Sequence, residues 1–120
     1  MLAESPLHLM QIYPQPNSSF RIQVNQECLQ SISIEVFLYV FDVSIVPHIY
    51  KHEHELEKWE QDKHDRLKVD RPVFIYSLAQ SKNLNVDSKF KFGIQIIYES
   101  GQTELVLYPQ TFTCTYECSL

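Results

Sequence analysis

The feature that most limits what this chain can become is a two-residue alternation of apolar and polar side chains that recurs along most of its length. "SFRIQVN" places Phe20, Ile22 and Val24 on one parity and Arg21 and Gln23 on the other, the pattern of a strand with one face buried and one in water. "QSISIEVFLYVFDV" is longer. Ile32, Ile34, Val36, Leu38 and Val40 share one parity, while the other changes from Ser31, Ser33 and Glu35 to Phe37, Tyr39 and Phe41. A strand that begins with one wet face and ends covered on both belongs in the middle of its sheet.

Further runs follow the same rule. "LHLMQIY" stops near Pro14 and Pro16, and "RPVFIYSLAQ" opens with a proline at a position where a strand tolerates one. "SKFKFGIQIIYES" directs Phe90, Phe92, Ile94, Ile96 and Tyr98 inward and Lys89, Lys91 and Gln95 outward. "ESGQ" then turns into "TELVLY", and Gly101 supplies the positive φ that a short hairpin loop needs. Pro109 interrupts the ladder before "TFTCTYEC", which predicts a last strand that bends away or crosses to a second sheet.

Seven or so strands without βαβ alternation predict an all-β fold, an antiparallel β-sandwich, in preference to a small barrel. With 120 residues, 44% of them hydrophobic, and no Gly/Ser linker, a single domain spanning 1–120 is expected.

One segment breaks the alternation. From Lys51 to Arg71 there are seven acids and six bases, and His48, His52, His54 and His64 lie in or beside it. At helical spacing His52, Leu56, Trp59, Lys63 and Leu67 form a narrow stripe, and Asp62 with Arg66 is an i,i+4 pair contributing about 0.2 to 0.5 kcal/mol. Acids gather near its start and bases near its end, the order the helix dipole favours. An inserted, charged helix over roughly 51–68 is predicted, with Pro47 and Pro72 as its punctuation.

The same histidines raise the question of a metal. His48, His52 and Glu55 fall on adjacent helical turns and are the candidate ligands, yet no single conformation aligns all four imidazoles, and the order is not HExxH. A solvated structural helix is the preferred reading of the segment.

Chemistry of other kinds finds little support. The chain has two glycines, so no phosphate-cradling loop can be placed, and no G-x-S-x-G turn exists. Glu35 lies inside an apolar strand and reads as a half-exposed position. Cys28, Cys114 and Cys118 are an odd number. In a strand the last two stand roughly 13 Å apart, beyond the 7 Å or so that a disulfide spans, so three reduced thiols in a cytoplasmic setting are expected. A net charge of −5 without a basic patch argues against nucleic acid. The longest apolar stretch, "VFLYVFDVSIV", is about half of the roughly 20 residues a membrane span requires, and "MLAESPLHLMQIYPQP" lacks the basic start of a signal peptide.

The expectation is therefore a soluble, non-catalytic module without a cofactor, working by binding another protein or a second copy of itself through an unpaired strand edge or through the charged helix. Trp59, Tyr50 and Tyr108 are the candidate contact residues; for Trp59 the preferred reading is that it fastens the helix to the sheet, since the helix has few other apolar residues to hold it down. The alternative is a small-ligand or metal-sensing module built on the histidine-rich segment.

Overall fold

A computed structural model describes residues 9–16, 19–27, 35–43, 56–78 and 88–113. Two antiparallel sheets pack face to face, and a short helix covers the outside of the larger one. The elements run β1 (Met10–Gln15), β2 (Ser19–Val24), β3 (Glu35–Asp42), α1 (Leu56–Asp62), β4 (Asp65–Lys68), β5 (Val73–Ser77), β6 (Lys89–Ile97), β7 (Thr103–Leu107) and β8 (Phe112–Thr113). The small sheet has the order β1-β2-β5 and the large one β4-β3-β6-β7, with β8 also on β6. The all-β sandwich read from the alternation is the fold observed.

Each inward parity lands in the space between the sheets. Ile12, Phe20, Ile22 and Val24 face Val36, Leu38, Val40, Phe92, Ile94 and Ile96, all buried. Phe20, Phe92 and Phe112 form an edge-to-face trio with centroids 5.1 to 5.6 Å apart, the arrangement that aligns ring edges with ring faces. Polar contacts also cross between the sheets. Tyr76 of β5 donates its hydroxyl to Asp65 Oδ2 of β4 at 3.0 Å, and the Ile12 amide of β1 donates to the Tyr108 hydroxyl at 3.4 Å.

β3 lies between β4 and β6, the central place its change of pattern predicts. Its second parity forms a separate cluster on the outer face of the large sheet: Tyr39, Phe41 and Leu105 meet Trp59 there, with Phe37 and Leu56 at the margin. The β6–β7 hairpin closes through Tyr98–Gln102, with the Gly101 amide donating to Tyr98 O at 2.9 Å and Gly101 at φ 91°. Glu35 is exposed beside Lys68, 3.6 Å away.

Three expectations are corrected. The helix extends over Leu56–Asp62, not to Lys68, because Asp65–Lys68 pairs with β3 as an edge strand and the His64 amide already donates to Val40 O at 2.7 Å. "DRLKV" also alternates, and filling the open edge of β3 outweighs a few i,i+4 pairs. The start expected at 51 lies outside the described residues. The described part of the last expected strand bends past Pro109 but does not cross sheets: Phe112 and Thr113 return to β6 opposite Phe90 and Lys89, beyond the stretch that β7 occupies, and Lys91 Nζ donates to Pro109 O at 3.0 Å across the bend. Gln95 is on the outer face, as its parity requires, but it is buried there rather than wet.

Candidate interaction surface

The two outer faces of the sandwich are different in kind. That of the large sheet is closed. Trp59 is fully buried, and it stands over Gly93, where a Cβ would lie 2.5 Å from Cη2 and 2.7 Å from Cζ3 of the indole. The rings of Tyr39 and Phe41 each meet the indole edge-on at 5.1 Å. Trp59 thus fastens α1 to β3 and β6.

Polar groups close the rim of this contact. The Tyr39 hydroxyl donates to Glu60 Oε2 and accepts from Arg66 Nε at 2.9 Å. Arg66 also pairs with Glu60 Oε2 at 3.3 Å and lies over the Phe37 ring at 3.7 Å. Gln95 Nε2 donates to Thr103 Oγ1 at 3.2 Å. Burial, and then the bond to Glu60, push the Tyr39 pKa up to about 12. The same bond is the main reason that the Glu60 carboxyl is held below its ordinary range. The phenol thus donates to Glu60 and accepts from Arg66.

The face of the small sheet is open among the described residues. Ladder register sets Tyr13, Arg21 and Ile75 in one row across β1, β2 and β5, and Gln11, Gln23 and Val73 in the next. The Arg21 guanidinium covers the Tyr13 ring at 4.2 Å. Tyr13 (39% exposed), Val73 (44%) and Ile75 (55%) are the large apolar side chains left exposed among the described residues, and all three are on this face. Two shallow grooves, of about 510 and 560 Å³, flank the β5 end of the face and meet at Val73.

The edge of β5 completes this surface. The Val24 amide donates to Pro72 O at 2.7 Å, which sets the phase of the antiparallel ladder. Phe74 and Tyr76 exchange bonds with Ile22 and Phe20, and the N–H and C=O groups of Val73, Ile75 and Ser77 point away from β2. No described strand pairs with them.

Of the residues singled out from the sequence, Trp59 and Tyr108 (4% exposed) are in the interior and offer no contact surface in this fold. Tyr108 instead supplies the hydroxyl that caps the Ile12 amide. Tyr50, His48, His52 and Glu55 lie outside the described residues, as do all three cysteines. Among the described residues no three metal-ligating side chains converge, and no helix is long and apolar enough to cross a membrane. His64, the described member of the histidine group, is half-buried with its ring 5.7 Å from that of Phe90. The open face was missed because "VFIYS" is apolar on both parities, which reads as a strand covered on both sides. Its one available signal is the absence of any charge.

No protein-family model and no curated protein sequence matches the chain. Among solved structures it is similar to the soluble domain of PmoD from Methylocystis sp. ATCC 49242 (Rockwell), at 12% identity and a TM-score of 0.49, over 79% of this chain and 69% of that one. A likeness of that size carries no argument about what this chain does.

Proposed function

We propose that this β-sandwich is a non-catalytic module that binds another protein or a second copy of itself through the open face and edge of its small sheet. The observation that supports this reading is the gathering of Tyr13, Val73 and Ile75 on one side of one sheet. Scattered exposed apolar residues need no explanation, whereas Val73 and Ile75 stand together on the strand whose outer edge no described strand pairs, and exposed apolar side chains gathered on one face are a feature of contact surfaces. Backbone groups at the edge would supply affinity, and side chains in alternation would supply selectivity. The charged helix, the other candidate surface, turns its one tryptophan into the core and leaves a solvated outer face.

The test compares the wild-type chain with Val73→Asp/Ile75→Asp as bait in its native host. A carboxylate on the face should abolish recovery of the partner, or of a differently tagged copy, while the far-ultraviolet circular dichroism stays unchanged. Equal recovery by both baits refutes the reading.

A further inference from the structure

We propose that two copies of this chain join through antiparallel pairing of their β5 strands, making the two small sheets one six-stranded sheet. The inference rests on the reading of the open face given above and names its occupant.

A strand edge exposed to water is a template for further pairing, and proteins blunt it with charge, with proline or with a cover. The edges among the described residues differ in this respect. β1 carries Pro14 and has its Ile12 amide capped by Tyr108. β4 carries Asp65, Arg66 and Lys68, and β7 carries Glu104. β5, "VFIYS", has neither a charge nor a proline.

The outward groups of β5 also select a register. Because Val73, Ile75 and Ser77 are the residues whose amides and carbonyls face outward, a two-fold axis beside Ile75 sets Ile75 against its own copy and Val73 against Ser77. Each such pair exchanges two hydrogen bonds, so every outward group of the strand is satisfied. Across the seam no charged side chain opposes another, and the most exposed apolar residue, Ile75, meets itself. Opposed like charges, the usual obstacle to self-pairing of an edge, are therefore absent within the strand. A second copy is the occupant that meets these conditions without any further assumption about a partner's sequence.

The contact is small. Five paired residues and one row of side chains fall short of the ~800 Å² per partner found in stable complexes, so weak association that grows with protein concentration is expected.

Sedimentation from 5 μM to 1 mM should show the weight-average mass rising from 14.2 kDa toward twice that value. Hydrogen exchange at Val73, Ile75 and Ser77 should slow over the same range, whereas Phe74 and Tyr76, already in the ladder, should not change. Ile75→Pro removes an outward donor without touching the β2 ladder, and Ile75→Lys keeps the amide but opposes two cations across the axis. Both should hold the chain at monomer mass. A monomer at 1 mM, or a dimer that survives both substitutions, overturns self-pairing. If the chain is monomeric yet the face variants above still lose a captured partner, self-pairing fails while the contact surface stands.

Discussion

Gly93→Ala tests how the helix is held. In contact, carbon atoms rest about 3.5 to 4.0 Å apart, so a Cβ placed 2.5 Å from Trp59 Cη2 and 3.3 Å from Phe41 Cε2 leaves the indole about 1 Å too close. It cannot slide sideways, since Tyr39 and Phe41 stand against it edge to face. It must lift, and lifting draws a seven-residue helix off the sheet. Overpacking of this kind costs about 1 to 3 kcal/mol, and the lower chain entropy of Ala returns roughly 0.5 kcal/mol. A net loss of about 1.5 kcal/mol is expected, equivalent to some 6 °C in Tm at ~4 °C per kcal/mol for a chain of this length. Urea unfolding followed by the fluorescence of Trp59, the single tryptophan, reports both stability and docking, and the emission should shift to the red. The control is a cycle with Trp59→Leu: once the indole is gone, the added methyl should cost almost nothing. A loss below about 0.5 kcal/mol in the wild-type background refutes the close approach, as does an equal loss with and without the indole.

Other consequences can be read separately. Trp59→Ala should cost about 3 to 5 kcal/mol in urea unfolding, because it empties the second cluster. Because the Glu60 carboxyl is held low in the fold, its contribution is present above the unfolded value and is lost as pH falls through the folded one. Acid unfolding of Glu60→Gln should accordingly depend less on pH below about 4.5. Tyr39 runs the other way: with its folded pKa raised from 10.0 to about 12, the neutral phenol stabilises the fold below pH 10, and that stability is lost between those values. An absorbance titration should show a late tyrosine that Tyr39→Phe removes. Tyr76→Phe deletes the bond to Asp65 that joins the two sheets and should cost about 1 kcal/mol by thermal melting. Calorimetric titration of metal-free protein with zinc should show no stoichiometric binding. Uptake at one equivalent that His52→Ala abolishes would instead favour the sensing module.

Much of the fold was legible in the order of residues. Side-chain period in a strand is two, so the inward set of β2, Phe20, Ile22 and Val24, follows from spacing alone, and the shift of Phe37, Tyr39 and Phe41 to a second apolar face announces that something covers β3. Gly101 announces the β6–β7 turn by the one conformation it allows. These are local properties, and they survive without knowledge of neighbours.

What covers β3, which edges stay open and where the helix ends were decided by tertiary structure. Leu67 suits a helical stripe and a strand equally well, and the vacant edge of β3 settled it. Trp59 and Tyr108, as aromatic as any contact residue, are interior because Gly93 leaves room beneath one and the Ile12 amide needs the hydroxyl of the other. Val73 and Ile75 resemble core residues in every local respect, yet they face water because β5 occupies the rim of a three-stranded sheet with no described layer over it. Periodicity tells which side chains share a face; only the packing of whole elements tells whether that face meets protein or solvent.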